Sequence, residues 1–305
     1  MIKGIIKEIL PNTLVYKYQR AIYKKKLSDN FQKIHGYCLN IDNPKTWNEK
    51  IHYRKKYGNK SFMAKIADKY LVREYVKNKI GEKYLIKLYG VYEHLSLSDF
   101  TQLPEKFVIK SNHASGPDFI EIVTEKSSID IKWLINKMNS SIKKKYGIIH
   151  GEDFYQNIKP KIIIEEYLKS PGLTPDDYKV HCFNFNGNFK AFIQVDRGRY
   201  INHRRNIYDL DWNLINMKIE EKYPHIEYVE KPKKLKEIIE ISKKLSEDFD
   251  YVRVDLYLIE DQIFFGELTM THGDGMENIR PVEIDYQWGA LWDIDKQNSN
   301  LYNYK

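Results

Sequence analysis

The stretch Tyr251–Pro281 reads YVRVDLYLIEDQIFFGELTMTHGDGMENIRP and predicts two β-strands followed by a glycine-rich loop. Both Tyr251–Ile259 and Ile263–Leu268 are rich in β-branched and aromatic residues, which favour strands. The polar turn between them lacks glycine, which argues against a tight two-residue turn. With a three-residue turn, Ile259 would pair with Ile263.

Two carboxylates are predicted to face each other across this hairpin. In the register of a three-residue turn, Asp255 lies opposite Glu267 and Arg253 lies opposite Thr269. Facing carboxylates between apolar strands are unfavourable unless a cation joins them, and oxygen ligands suit a hard ion such as Mg²⁺. Removing one carboxylate would then relieve repulsion and could stabilise the fold. The alternative is an exposed polar face with Arg253 as the counter-charge, and the pattern alone leaves both interpretations open.

Composition indicates a globular protein. Of the 305 residues, 42% are hydrophobic and 14% aromatic, enough for one large core or several smaller ones. The two cysteines, Cys38 and Cys182, have neither metal-binding nor disulfide spacing, so we expect a cytoplasmic protein. The first residues contain no long apolar run, so we expect neither a signal peptide nor a membrane span.

The chain is basic, with a formal net charge of +8. Such a charge suits nucleic acid, an anionic membrane, or phosphorylated and carboxylated small molecules. The lysines are dispersed among acids without a nucleic-acid-binding motif, so we expect no nucleic acid partner. The N-terminus places Ile2, Ile5, Ile6 and Ile9 at helical spacing ahead of three lysines at 24–26. It is either a helix docked on the domain or one that touches the inner face of the membrane.

Several helices and their ends can be predicted from capping signals. Thr46 and Glu49 have the spacing of a capping box, and Gly81 is a helix stop. Lys69 falls inside the first of the longer helices. These helices are predicted over Phe62–Lys79, Asp130–Lys145 and Lys233–Phe249.

The segment FVIKSNHASGPD at 107–118 has the pattern of a phosphate cradle. A strand that ends in Lys110 runs into a loop with Ser115 and Gly116, and a second strand follows. Glycine lets the backbone approach a ligand closely, and loop N–H groups can point at phosphate oxygens. An ordinary hairpin can contain the same residues.

Two further segments have binding chemistry but also simpler explanations. The strand KIIIEEYL at 161–168 ends in Glu165 and Glu166, which could accept from an adenine amino group or simply begin a charged loop. A basic cluster follows the strand at 189–195 and could bind an anionic substrate or form a mobile loop. Its members are Arg197, Arg199, His203, Arg204 and Arg205.

Taken in order, these elements resemble the ATP-grasp superfamily, which includes D-alanine–D-alanine ligase-like enzymes. They are similar in particular to the TupA-like ATP-grasp family of bacterial polysaccharide and teichuronopeptide biosynthesis. The resemblance covers roughly residues 40–290. It is carried by Asp68-Lys69, the FVIK strand with its SNHASG loop, IIIEEYL, the DDYK of 176–179, the RVD of 253–255 and the ELT of 267–269.

The resemblance implies an α+β fold of the ATP-grasp type, in which two α+β subdomains grip ATP. A helical N-terminal extension would span residues 1–60, the N-terminal subdomain 61–165 and the C-terminal subdomain 166–297. We expect residues 298–305 to be a frayed tail.

The resemblance also implies roles in ATP binding. Lys69 and Lys110 would contact the phosphates, and the loop with Ser115 and Gly116 would close over them. Adenine would be held by Glu165 and the backbone of Glu166, Tyr167 and Leu168. Asp177 would bind the ribose, and Lys179 would lie near the phosphates.

Metal binding and catalysis are implied for the hairpin. Arg253 would stabilise charge on the transferring phosphoryl group, with Lys179 assisting. Asp255 and Glu267 would bind one or two Mg²⁺ ions. Thr269 stands where the superfamily commonly has Asn, which weakens the case for a second ion. Candidate substrate-binding residues are Arg197, Arg199, Arg204, Arg205 and Arg280 for an anionic sugar, and His272 and Asp274 for an amine.

The implied activity is ATP-dependent carboxylate–amine ligation through an acyl phosphate. The carboxylate would belong to a uronic acid in a sugar, a nucleotide sugar or a glycan of the bacterial capsule or surface, and the amine to an amino acid or a small amine. Two alternatives stay open: a kinase of the same fold that phosphorylates a sugar, and a non-catalytic glycan- or membrane-binding module.

Overall fold

The computed structural model describes residues 12–170, 175–185, 187–198 and 202–303. The helices are α1 (Asn12–His35), α2 (Trp47–Tyr57), α3 (Lys60–Ala67), α4 (Val72–Ile80), α5 (Ile131–Ser141), α6 (Leu235–Ser246) and α7 (Val282–Leu291). The strands are β1 (Leu88–Tyr92), β2 (Phe107–Ser111), β3 (Ile120–Val123), β4 (Ile162–Glu166), β5 (Asp177–Phe185), β6 (Asn188–Arg197), β7 (Arg204–Tyr208), β8 (Lys218–Ile219), β9 (Tyr251–Ile259), β10 (Gln262–Thr269) and β11 (Ile279–Arg280).

Two antiparallel sheets form the framework. The smaller sheet has the strand order β1-β4-β2-β3, and the larger has the order β10-β9-β5-β6-β7. A short ladder joins β11 to β8. Helices accompany these antiparallel sheets, and four of them precede the first strand, so the predicted α+β class is confirmed.

Each sheet has its own apolar core. On the smaller sheet, Leu134 and Met138 of α5 pack with Phe107, Ile109 and Ile162. The larger sheet is covered by α6, whose inward residues recur every three or four positions, as expected for one face of a helix.

Helices α3 and α4 pack with the larger sheet. Met63, Ile66 and Val76 are buried in the same cluster as Val180 and Val254. Apolar side chains of α3 and α4, which fall within the predicted subdomain 61–165, thus contact the core of the larger sheet, and the subdomain bounds stay a prediction. The smaller sheet has an apolar cluster of its own, separate from this one.

The helix predicted over Phe62–Lys79 is interrupted. The side chain of Asp68 accepts hydrogen bonds from the backbone N–H groups of Tyr70 at 2.8 Å and Leu71 at 3.2 Å. A short acidic side chain can compete in this way for backbone donors and end a helix. Lys69 therefore lies in the bend between α3 and α4, and the prediction that it lies on a helix is wrong.

The tip of the β9–β10 hairpin is tighter than predicted. Ile259 pairs with Gln262, so the turn contains only Glu260 and Asp261. Glu260 takes a positive φ of 55° without being glycine. The prediction of a three-residue turn, based on the missing glycine, is wrong.

A bulge at Gly266 restores the predicted register beyond the tip. Glu267 pairs with Asp255, and Thr269 pairs with Arg253. A one-residue shift moves every later side chain to the opposite face of a strand, so this bulge decides which residues face together. A Cβ at Gly266 would lie 3.1 Å from the Asp255 carbonyl oxygen, so the bulge has little space for a side chain.

The two ends of the described chain also pack on the body. Phe31 and His35 of α1 are buried, which supports a helix docked on the domain. Leu301 and Tyr302 are buried as well, so the prediction of a frayed tail is wrong for residues 298–303. The isoleucine face predicted at residues 2–9 lies outside the described residues. Within the described part, no helix combines the length and apolar character needed to cross a bilayer.

A fully buried arginine joins α2 to the hairpin. Arg54 forms an ion pair with Asp250 and donates to the carbonyl oxygens of Tyr251 at 2.7 Å and Met270 at 3.1 Å. These carbonyls lie at the start of β9 and just beyond the end of β10. One guanidinium therefore holds both strands of the hairpin at the same end.

Replacing this arginine should destabilise the whole protein. We expect Arg54→Met to lower the free energy of unfolding by about 3–5 kcal/mol, because it leaves Asp250 buried without its counter-charge. Urea denaturation followed by circular dichroism measures the loss. The double variant Arg54→Met/Asp250→Asn should recover part of it, and a loss below about 1 kcal/mol in the single variant would contradict this role.

Candidate functional site

A cavity of about 700 Å³ is lined by residues of both sheets. Lys110 and Ile120 line it from the smaller sheet, and Lys179, Asp255 and Glu267 line it from the larger sheet. A large cavity with several convergent charged groups is the expected place for a ligand site.

Arg253 joins the two facing carboxylates of the hairpin. Its Nε and Nη2 atoms each donate to Asp255 at 2.6 Å, and Nη2 also donates to Glu267 at 2.9 Å. A further hydrogen bond from Nη2 reaches the Thr269 hydroxyl at 3.0 Å. The predicted register is confirmed here, and the counter-charge is the arginine. The face is largely buried, since Arg253 and Asp255 are only 8% and 4% exposed.

The donor set of this pair fits Mg²⁺ bound together with phosphates. Mg²⁺ commonly takes one or two protein carboxylates and completes its shell with substrate phosphates and water. Asp255 and Glu267 supply two carboxylates, and Thr269 supplies a hydroxyl that donates to Glu267 at 2.9 Å. Across the described residues, no group of three or more His, Cys, Asp or Glu side chains could hold a metal ion. The pair therefore fits an ion that completes its shell with phosphate oxygens and water.

The charge of Glu267 is favoured by its surroundings. Partial burial opposes ionisation of this side chain, which is 41% exposed, but Arg253, Lys69 and Lys179 together hold the pKa of the Glu267 carboxyl below its usual value. The carboxylate is therefore negatively charged across the neutral pH range.

Three lysines face the cavity beside Arg253. Lys69 donates from Nζ to the Ala114 carbonyl oxygen at 2.7 Å, and burial lowers the pKa of Lys69. Lys110 pairs with Glu165 at 2.6 Å. A cavity wall with several fixed cations favours a polyanionic ligand.

Lys179 lies between two acids of the larger sheet. Its Nζ atom is 3.0 Å from an Asp177 oxygen and 3.3 Å from an Asp255 oxygen. Burial lowers the pKa of a lysine, but Asp255 and Asp177 outweigh that effect and raise the pKa of Lys179. Lys179 therefore stays charged next to the carboxylate pair.

The loop after β2 covers one side of the cavity. Ser115 and Gly116 both line it, and the Ser115 hydroxyl lies 2.6 Å from that of Tyr146. The Lys69 backbone N–H donates to the Asn112 carbonyl at 3.1 Å. The bend that interrupts the predicted helix thus holds the start of this loop.

The residues predicted to hold adenine are placed differently from the phosphate-binding candidates. Glu165 pairs with Lys110 and with Arg73, the latter at 3.3 Å. It lies at the end of β4 with the segment 166–168, and none of these four described residues lines the cavity. Asp177, the ribose candidate, does line it. The adenine and ribose roles stay predictions.

The structure separates the predicted basic cluster. His203 and Arg205 of the cluster line the cavity, as do His272 and Asp274. Arg199 lies outside the described residues. The other two arginines of the cluster donate elsewhere, Arg197 to Asp176 at 2.9 Å and Arg204 to the His225 carbonyl at 3.0 Å. The further substrate candidate Arg280 donates to the Ile34 carbonyl at 2.9 Å.

A polar network that the sequence did not predict connects Arg253 to Arg205. His272 accepts from Arg253 and contacts Glu277 at 2.7 Å on its other ring nitrogen. Arg205 donates from Nε to Asp196 at 2.6 Å and lies 3.7 Å from Glu277. Asp196 is the second polar residue of the alternating strand FIQVDR, and this alternation was the signal that could have identified it. Glu277 lies in a loop without periodicity.

Glu152 is another cavity residue that the sequence did not predict. It is 8% exposed, lines the cavity, and accepts a hydrogen bond from the Thr271 hydroxyl at 2.5 Å. Burial raises the pKa of its carboxyl to about 7. Its segment has neither strand nor helix periodicity, so nothing in the sequence singles it out.

A family model described as TupA-like ATPgrasp matches residues 49–293, which is most of the chain. Comparison with curated proteins found no match.

Solved structures with a similar fold include ligases, at low identity. The chain is similar to D-alanine–D-alanine ligase from Helicobacter pylori, with 15% identity and a TM-score of 0.43, over 75% of this chain and 61% of that one. It is also similar to D-alanine–D-alanine ligase from Bacillus anthracis complexed with ATP, with 16% identity and a TM-score of 0.41, over 70% and 57%. For phosphoribosylamine–glycine ligase from Thermotoga maritima, the values are 15% and 0.42, over 70% and 50%. The chain thus covers less than two thirds of each of these structures.

Removal of the Asp255 carboxylate should lower the stability of the protein more than removal of the Glu267 carboxylate. Burial raises the pKa of the Asp255 carboxyl in spite of Arg253 and Lys179. The ion pairs nevertheless decide the outcome, and we expect Asp255→Asn to lower the free energy of unfolding by about 3 kcal/mol, because it leaves Arg253 and Lys179 buried with less counter-charge. This is the opposite of the relief expected from the sequence. The Glu267 side chain is 41% exposed, so Glu267→Gln should cost less than about 1 kcal/mol. Urea denaturation of both variants measures the difference, and equal losses would contradict it.

The carboxyl of Glu152 should make stability depend on pH. Its pKa rises from an ordinary value of 4.5 to about 7 in the folded protein, so the folded state keeps a proton that the unfolded chain has lost. Stability is therefore lost as pH rises through this window. We expect Glu152→Gln to gain about 2–3 kcal/mol over the wild type between pH 5 and pH 8. Glu237→Gln, in an ion pair with Lys234, should show no such trend.

Proposed function

The chain belongs to the TupA-like ATP-grasp family, and we propose that it is an ATP-dependent ligase that joins a carboxylate to an amine. One observation carries this proposal: four cationic side chains converge on one cavity around the Asp255–Glu267 pair. Phosphates need the cations, and a nucleotide-bound Mg²⁺ needs the carboxylates. The cations are Lys69, Lys110, Lys179 and Arg253.

The first step is phosphoryl transfer to the substrate carboxylate. A carboxylate oxygen attacks the γ-phosphorus of ATP, which gives an acyl phosphate and ADP. Mg²⁺ bound with the nucleotide would supply charge neutralisation on the phosphates. Lys69 and Lys110 hold positive charge on one side of the cavity, and Arg253 holds it on the other. The protein therefore contributes mainly position and electrostatic stabilisation, as is usual for this chemistry.

Amide formation is the second step. The amine nitrogen attacks the acyl carbon, negative charge develops on the carbonyl oxygen, and phosphate leaves. Arg253 is already fixed by Asp255 and Glu267, so it can stabilise this charge without reorganising. No covalent enzyme intermediate is required.

The proposed carboxylate substrate is a uronic acid of a bacterial capsular or surface polysaccharide, as a free sugar, a nucleotide sugar or a glycan. Arg205 supports this proposal, because it lines the cavity and its guanidinium lies 4.5 Å from the centre of the Tyr223 ring. A planar cation beside an aromatic ring suits a carboxylate carried by a sugar. The amine would come from an amino acid or a small amine. Peripheral membrane contact through the N-terminus stays a prediction.

The test is a matrix of uronic acids and amines. Free glucuronate, galacturonate and their UDP-linked forms are each mixed with glycine, alanine, lysine or ethanolamine, ATP and Mg²⁺, and ADP release is measured. We expect release to require both substrates and mass spectrometry to find the sum of the two masses less one water. Glu267→Gln should lower the rate at least about 100-fold, while Glu237→Gln should match the wild type.

A different product would overturn the ligase proposal. A phosphorylated sugar formed without any amine would identify a kinase. Absence of ATP binding by calorimetry, with and without Mg²⁺, would instead identify a non-catalytic module.

A further inference from the structure

Glu152 lies at a distinct part of the cavity wall. Its oxygen is held at 2.5 Å by the hydroxyl of Thr271, two residues beyond Thr269 on the chain that leaves β10. Tyr155 is partly buried and lines the same cavity as Glu152 and Arg253. The carboxyl therefore lines the same cavity as the Arg253 ion pairs but takes no part in them.

The cations nearest to Glu152 are committed to another acid. Lys55 pairs with Asp274 at 3.0 Å, and His150 pairs with the same carboxylate at 2.9 Å. Within the described residues, no ion pair reaches the Glu152 carboxylate itself. The titratable and charged groups that face it are Tyr23 of α1, Lys55 of α2, Tyr146, His150 and Tyr155 of the segment before β4, and Asp274 of the loop after β10.

This environment differs from that of the other cavity acids. Glu267 and Asp255 are fixed by Arg253, whereas Glu152 receives one neutral hydrogen bond. Burial therefore controls its protonation, and with a pKa of about 7 it can both take up and release a proton near neutrality. Such a group is suited to proton transfer.

We propose that Glu152 receives the amine substrate as an ammonium ion and removes the proton that blocks its attack. The inference rests on the proposed ligase activity and assigns the ligand class at this position as a primary amine. It makes Glu152 a catalytic residue for the second step of the reaction.

Two protons leave the nitrogen in this step, one to Glu152 and one to phosphate. One N–H bond of the ammonium breaks, and its proton moves to a Glu152 oxygen. The freed lone pair forms the C–N bond at the acyl carbon, and the C–O bond to phosphate breaks with its electrons on oxygen. The second proton leaves the nitrogen with the departing phosphate, which becomes hydrogen phosphate. Glu152 then releases its proton to solvent.

The test compares two nucleophiles that differ in basicity. Ethanolamine is an ammonium ion near neutral pH and needs a base, whereas hydroxylamine is already unprotonated and needs none. Each is supplied with ATP, Mg²⁺ and the uronic acids of the matrix above. Amide is measured by mass spectrometry and hydroxamate by its iron(III) colour. The full-length chain is used as the wild type, Glu152→Gln, Glu152→Asp and the control Glu237→Gln.

We expect Glu152→Gln to slow amide formation by about 100-fold or more while hydroxamate formation stays within a few-fold of the wild type. The loss should appear in kcat, and the rise of kcat near pH 7 should disappear. Glu152→Asp, which keeps a carboxyl group, should recover part of the rate. Thermal unfolding of each variant shows whether the fold is intact.

Two results would overturn the assignment, and a third would overturn its premise. Equal losses with both nucleophiles would mean that Glu152 only supports the structure, and undiminished amide formation would mean that no base is needed there. If the wild type forms neither amide nor hydroxamate from any uronic acid, the ligase proposal fails, and the role of Glu152 fails with it.

Discussion

The site depends on one guanidinium placed between two carboxylates. Arg253 contacts Asp255 through two nitrogens and shares one of them with Glu267, so three charges that would be unfavourable singly are compensated together. Lys179 adds a second cation next to Asp255. This arrangement assembles the carboxylates before any nucleotide arrives. A nucleotide that brings its own metal ion would then meet carboxylates whose positions are already fixed. Little reorganisation of the protein would be needed.

Glu267 and Glu152 carry the same carboxyl group, but their surroundings shift its pKa in opposite directions. Glu267 has a lowered pKa because cations surround it, and Glu152 has a raised pKa because burial acts on it with little compensation. Pairs of acids with diverging pKa values are a common way to divide charge stabilisation from proton transfer. Here the two positions come from different parts of the chain, one on strand β10 and one in the segment between α5 and β4.

Much of the fold could be predicted from the sequence, because strong periodicity and known motifs mark its strands and helices. Asp255 and Glu267 were found by strand alternation, although the turn that led to them was assigned incorrectly. Lys69 was identified by resemblance but was predicted to lie on a helix. The hydrogen bonds by which the Asp68 side chain ends that helix leave no gap in the apolar pattern of the sequence. Glu152 and Glu277 could not be found, because loops have no period and their burial arises only when distant segments pack together.

The bulge at Gly266 compensates for the short turn at the tip of the hairpin. The turn is one residue shorter than the alignment of Asp255 with Glu267 requires. The bulge supplies the missing residue on β10. The tip and the bulge are therefore interchangeable places for a single residue. A chain with one residue more at the tip and none at the bulge would present the same face to the ligand, so changes of length in this hairpin need not alter its chemistry provided that they occur as a compensating pair.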